Sequence, residues 1–209
     1  MEEVLDLYEA PPDPSRPLVC VDESHKEQRG EVLPPESASK GKPYRYDHEY
    51  AHHGRSNLFM IFAPHPGWRH VRVTEQRTAL DFAECMRELV DVHFPQAERI
   101  RLVLDNLNTH NKASLYAHLP AAEAHRIASK LEFHYTHKHG SWLDMAEIEL
   151  SVLARQCLAQ RIPDRQTLIE LIDLWEKERN EAKATVHWQF TAADARLKLE
   201  RLYPCIEHD

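Results

Sequence analysis

Three acids occupy positions where metal chemistry is possible. Asp22 closes the apolar run in VCVDES, and Asp105 closes the run RIRLVLD at 99–105. Each follows β-favouring residues, so each should sit at the C-terminal end of a strand. In sheets with helical crossovers, binding and catalytic groups gather at that edge. If the two strands are neighbours, their carboxylates converge and offer hard oxygen ligands to a divalent cation. A third acid comes from a helix read over residues 142–160. On a wheel at roughly 100° per residue, Leu143, Ala146, Leu150, Leu153, Ala154, Cys157 and Leu158 share one stripe. Glu147 falls inside that stripe, while Asp144 and Glu149 fall off it. An acid on a core-facing stripe is costly unless something compensates it, and a metal ion does so. Met145, Ile148 and Val152 make the opposite side apolar too, so the helix could pack on both faces. Three carboxylates around two Mg²⁺ ions suit phosphoryl transfer, and the substrate implied is a phosphodiester. The ordinary roles of such acids are loop residue, helix cap and buried ion-pair partner. Glu23 is a rival neighbour to Asp22.

The remaining pattern supplies elements to position these acids. Residues 18–23 read as a buried strand and 24–44 as a long loop rich in Gly and Pro. Residues 45–52 are a weaker strand candidate. LFMIFA at 58–63, the turn HPGW at 65–68 and RHVRVT at 69–74 read as a hairpin. Thr78–His93 has helical spacing, with Thr78 as N-cap. A strand at 99–104 follows, then short helices at 114–119 and 121–130 and an alternating strand at 131–137. Helices at 142–160, 164–181 and 194–202 complete the chain. The order predicts an α/β fold with a mixed sheet and helices on its faces. Residues 1–17, acidic and Pro-rich, read as a tail or linker with a short helical turn at 2–8. Residues 18–204 read as one domain and 205–209 as a second tail.

Composition narrows the class. The 209 residues include 34 acids against 26 Lys and Arg, a formal charge of −8. Taken alone, this charge argues against non-specific DNA affinity, yet it suits a carboxylate site for metal ions. Cys20, Cys85, Cys157 and Cys205 have no C-x-x-C spacing, so neither a disulfide framework nor a zinc ribbon is expected. No apolar run approaches the ~20 residues of a membrane span. The N-terminus resembles no signal peptide, so an intracellular, soluble protein is expected.

Four blocks carry a resemblance: VCVDES; YRYDHEYAHHGRSNLFMIFAPHPGWRHVRVTEQRT; LVLDNLNTH; and LEFHYTHKHGSWLDMAEIELSVLARQCL. In this order they resemble the DDE transposases of the mariner superfamily, above all the bacterial insertion-sequence branch of the six-thirty type. The resemblance runs from about Leu18 to Pro204. It implies an RNase H-like fold, a five-stranded mixed sheet flanked by helices, with a catalytic and metal-binding triad of Asp22, Asp105 and Glu147. It implies two Mg²⁺ or Mn²⁺ ions, DNA strand cleavage by water, and attack of the freed 3′-hydroxyl on a TA-containing target. Transposon-end DNA and a second copy of the chain are the implied partners, in a cytoplasm where the protein associates with the nucleoid when bound to DNA.

Around the triad, Asn106, Asn108 and His110 could orient water or phosphate, or could simply shape a turn and cap a helix. Lys138, His139 and Trp142 precede the third acid; a cation there would help electrostatically, and Trp142 could stack on a base. Arg126 and Lys130 extend a basic stretch that could border DNA. Asp144 departs from the family pattern, which usually carries Asn there. The family also carries helix-turn-helix domains ahead of the catalytic strand, which here begins at Leu18. The chain is therefore expected to be a piece of a longer transposase or a domesticated remnant. Two other functions compete: a silent dimerisation or regulatory module, and another RNase H-like nuclease.

Overall fold

The structure, a computed structural model, describes residues 1–33, 37–43, 49–137 and 140–202. Five strands form one sheet: β1 (Leu18–Glu31), β2 (Tyr50–Ala63), β3 (Trp68–Thr74), β4 (Ile100–Leu104) and β5 (Leu131–Tyr135). Their spatial order is β3-β2-β1-β4-β5. β1, β2 and β3 pair antiparallel, and β4 and β5 run parallel to β1. The hairpin turn between β2 and β3 closes with Gly67 N donating to Pro64 O at 3.2 Å. Gly67 has φ +65°, and a Cβ there would meet Lys183 O at 2.4 Å, so only glycine fits.

Alternation along the strands builds a core on each face. Leu18, Cys20, Met60, Phe62 and Val103 point to one face, covered by α5 (Met145–Gln156) and α6 (Arg165–Glu181). Val19, Val21, Phe59, Ile61, Leu102 and Leu104 point to the other. There they meet α2 (Ala79–Glu88), α3 (Lys112–His118) and α4 (Ala121–Lys130). Cys20, Cys85 and Cys157 are free and buried, as expected of small core residues. Thr78 caps α2 through a capping box: Asp81 N donates to Thr78 Oγ1 (3.2 Å), and Thr78 N donates to Asp81 Oδ2 (2.8 Å). No helix among the described residues is long and apolar enough to cross a membrane.

Three sequence expectations change. β1 does not stop at Glu23 but continues to Glu31, paired with β2 as far as Glu31↔Tyr50. Residues 24–31 are polar because this arm extends beyond the apolar core, so their composition mimics a loop. Part of the weak strand at 45–52 lies outside the described residues, and Tyr50–His52 belong to β2. The N-terminal segment is not a free tail: α1 (Glu2–Glu9) buries Val4, Leu5 and Tyr8 in the core. Tyr8 Oη donates to Leu143 O at 2.6 Å, joining the N-terminal segment to the approach to α5. The segment's apolar residues were hidden among acids and prolines. A last helix, α7 (Ala192–Lys198), packs against α1, with Arg196 bonded to Glu2 at 2.8 and 2.6 Å.

Candidate active site

β1 and β4 are adjacent and parallel, with Val21 opposite Leu104. Asp22 is the next residue along β1, and Asp105 directly follows the end of β4, so both acids stand at the same edge of the sheet. Asp22 shares its face with Cys20 and so looks towards α5, whose first turn carries Glu147. Burial, then the charges of Asp105, Glu147 and Glu23, push the Asp22 carboxyl up to about 6; a 2.8 Å hydrogen bond from Glu23 N opposes them. Among the described residues, no lysine or arginine pairs with Asp22, Asp105 or Glu147. Asp105 is balanced by His110, whereas Asp22, in repulsion with Asp105 and Glu147, keeps carboxylate oxygens of the kind a hard divalent ion takes.

The wheel argument picked out Glu147 for the wrong reason. Glu147 is exposed, and the fully buried acid of α5 is Glu149. The buried stripe is Met145, Ala146, Glu149, Leu150 and Leu153, rotated from the expected one. Glu149 is neutralised from two sides. Arg69 Nε of β3, itself fully buried, lies 2.9 Å away, and Arg179 of α6 donates at 2.8 and 3.2 Å. The ordinary role of a buried, ion-paired glutamate thus belongs to Glu149, and Glu147 stays exposed in the first turn of α5.

Asp144 starts the helix. Its Oδ1 accepts from Ala146 N at 2.8 Å, an N-cap that places Glu147 in the first turn. Its Oδ2 is buried without a partner. Burial, then the nearby Asp22 charge, push the Asp144 carboxyl well above the usual range, which favours its neutral form. Its Oδ1 caps the helix as an asparagine oxygen would.

His110 holds the other side. Its Nδ1 is 2.5 Å from Asp105 Oδ1 and its Nε2 is 2.9 Å from Glu23 Oε1. Burial lowers the imidazole pKa, but bonds to Asp105 and Glu23 dominate and raise it to about 9. His110 is therefore an imidazolium that donates from both nitrogens. Burial raises the Asp105 pKa, and His110 more than offsets this, holding the carboxyl below its ordinary range. Tyr135 Oη donates to His110 O at 2.8 Å, and Arg77 Nε lies 3.3 Å from Glu23 Oε2. Glu23, on the opposite face of the sheet from Asp22, is taken up by His110 and Arg77. Arg77 was not found from the sequence, since nothing local ties residue 77 to residue 23.

The other expected neighbours divide. Asn106 and Asn108 are exposed in the loop after Asp105, and the cap of α3 is Asn111, which accepts from Ser114 N at 3.1 Å. Trp142 lies beside the α5 entry, half-exposed and stacked on Trp188 at 6.3 Å and 11°. Lys138 and His139 lie outside the described residues. Arg126 and Lys130 do not join the cluster. Lys130 directly precedes β5 and so lies at the sheet edge opposite Asp105, where its Nζ donates to Pro95 O at 3.1 Å. Arg126, one turn earlier, binds Asp91 at 2.6 and 2.8 Å. Local basicity in the sequence reflected bonds that tie α4 to the segment following α2.

The strand order β3-β2-β1-β4-β5, with helices on both faces, defines a mixed α/β domain that carries acids at two adjacent strand ends. The family model described as "DDE superfamily endonuclease" matches residues 17–169, and the chain belongs to that family. No curated protein matches the chain. Among solved structures, the catalytic domain of Mos1 mariner transposase has a TM-score of 0.54 at 13% identity, covering 90% of this chain and 91% of that one. The Mos1 mariner paired end complex with Mn has a TM-score of 0.56 at 14% identity, covering 87% of this chain and 55% of that one. The Mos1 strand transfer complex has a TM-score of 0.58 at 13% identity, covering 87% and 54%. At such identities the likeness shows the fold, which is RNase H-like. The chain spans about half the length of the longer Mos1 chains it matches.

Proposed function

We propose that this chain is the catalytic part of a DNA transposase, of the bacterial six-thirty type of insertion sequence, that cleaves and rejoins DNA strands. The observation that supports this reading is an Asp22 carboxyl raised in part by the charges of Asp105 and Glu147, at the end of adjacent parallel strands in a DDE-family chain. These three residues would hold two Mg²⁺ or Mn²⁺ ions. When bound, such ions stabilise charge on the attacking and leaving oxygens of a phosphodiester. The chain's own residues prepare the site. His110 donates to Asp105 and keeps it ionised, Asp144 caps α5 and fixes the direction of Glu147, and the Asp22 carboxyl is left without a cationic partner. Trp142, backed by Trp188, offers a flat apolar surface on which an unpaired base could stack.

The partners of this reading are transposon-end DNA, TA-containing target DNA and a second copy of the chain, in the cytoplasm. The negative net charge fits a piece that supplies chemistry more than affinity; two bound divalent ions would halve it. The test is nicking of supercoiled plasmid DNA with Mn²⁺, by the wild type and by Asp105→Ala. Nicking by the wild type alone is expected. Equal nicking by both proteins would sink the assignment.

A further inference from the structure

We propose that His70, Glu88 and His93 form a second, separate metal site, selective for a borderline-soft ion such as Zn²⁺. The Nε2 atoms of both histidines lie close to one carboxylate oxygen, Glu88 Oε1, at 3.7 Å from His70 and 3.8 Å from His93. One ligand atom from each residue falls within 4.8 Å of the others. These separations are too long for hydrogen bonds. In a tetrahedral zinc site with bonds of about 2.0–2.1 Å, ligand atoms stand about 3.3 Å apart. Each histidine would have to move about half an ångström closer to Glu88, and the two imidazoles closer to each other, to close the cluster on an ion.

Three further features point to a ligand. His93 Nε2 is buried and has no hydrogen-bond partner, an unexplained cost unless something binds it. His70 Nδ1 is 3.2 Å from Glu176 Oε1, which fixes the ring and turns Nε2 towards Glu88. A carboxylate behind a ligating imidazole is the usual outer support of a metal-bound histidine. Glu88 Oε2 is in turn held by Arg72 Nη1 at 2.5 Å, leaving Oε1 for the cluster. Trp68 walls the site, with its ring 4.9 Å from His93.

Helix winding explains how His93 arrives there. In an α-helix, residues five apart are rotated by about 140° and do not share a face. Leu89–His93 instead winds as a π-helix, with Phe94 N bonded to Leu89 O at 2.9 Å. The wider turn carries His93 back over Glu88. Such insertions concentrate at functional sites.

The site is distinct from the carboxylate cluster. β3 lies two strands from β1, about 10 Å across the sheet. Val71 faces the side that Asp22 faces, so its neighbour His70 points to the opposite side with Trp68. Two imidazoles and one carboxylate, with a position left for water or a partner's ligand, suit Zn²⁺, whereas an all-oxygen set suits Mg²⁺. Bound there, the ion would pin the end of α2 to the edge strand of the sheet.

The test is a titration of chelator-stripped, untagged protein with Zn²⁺, in excess Mg²⁺ to occupy the oxygen-donor site. A parallel titration with Co²⁺ is followed by visible absorbance. The expected result is one ion per chain, tetrahedral-type Co²⁺ bands and a rise in melting temperature with Zn²⁺. His93→Gln removes a group with no hydrogen bond to lose, so it should fold and should abolish both the bands and the shift. Glu176→Gln should weaken binding tenfold to a hundredfold and keep the stoichiometry. Failure of the wild type to bind, or equal binding by His93→Gln, would overturn the proposal.

Discussion

His110 is buried between two carboxylates, and the charge it carries should be readable as stability. Its pKa is raised from 6.5 to about 9 in the folded chain. A raised imidazole stabilises the fold fully below its unfolded pKa, and that stabilisation disappears as pH rises through the folded value. Linkage between 6.5 and about 9 gives about 3 kcal/mol at pH 6, about 2 kcal/mol at pH 7.5 and well under about 1 kcal/mol at pH 9. Bond counting agrees in scale, since two charge-assisted hydrogen bonds contribute about 1.5–3 kcal/mol each. The perturbation is His110→Gln, which keeps a polar side chain and cannot take the charge. The assay is urea unfolding of wild type and variant from pH 6 to pH 9, in chelator so that no metal competes. The stability difference should shrink by about 2–3 kcal/mol across that range. A difference that stays constant with pH would refute the imidazolium bridge and leave only lost packing against Phe82.

Two further predictions separate site from scaffold. Glu149→Gln leaves Arg69 and Arg179 without their buried partner and should cost about 3–5 kcal/mol in urea unfolding, while the folded variant still binds Mn²⁺. Glu147→Gln should do the reverse, with an unchanged urea midpoint and weakened Mn²⁺ binding; the opposite pattern would show the two glutamates misassigned. Asp144→Asn should stabilise the chain. A carboxyl whose pKa is raised in the fold costs stability as pH climbs above its unfolded value, about 3.9, so the gain over wild type should widen from pH 4 to pH 7. Parallel stability curves for the two proteins would show that Asp144 is not a buried neutral acid.

The sequence revealed what depends on local pattern. Apolar runs at 18–21, 58–63 and 100–104 located the central strands, and the acid ending two of them located the sheet edge. The role of Glu149 was hidden because its neutralising partners, Arg69 and Arg179, lie 80 and 30 residues away. A helix wheel weighs only apolar residues, so it cannot place an acid buried by arginines. The same holds for His110, whose second partner Glu23 is 87 residues distant and whose local setting, NLNTH, reads as an ordinary turn. Arg126 and Lys130 illustrate the converse. They are adjacent in sequence to β5, but which end of the sheet they occupy depends on strand direction, and the parallel β4–β5 pairing places them away from Asp105. The cluster at His70, Glu88 and His93 depends on a π-wound turn that α-helical periodicity does not anticipate.

The central claim is that Asp22, Asp105 and Glu147 together bind divalent metal. Calorimetric titration with Mn²⁺ tests it most directly, on wild type, Asp105→Asn and a control, Asp91→Asn, that alters an acid elsewhere on the surface. The wild type and the control should bind Mn²⁺ alike, and Asp105→Asn, folded by circular dichroism, should bind none. Equal Mn²⁺ binding by Asp105→Asn and wild type, or none by the wild type, would contradict the claim.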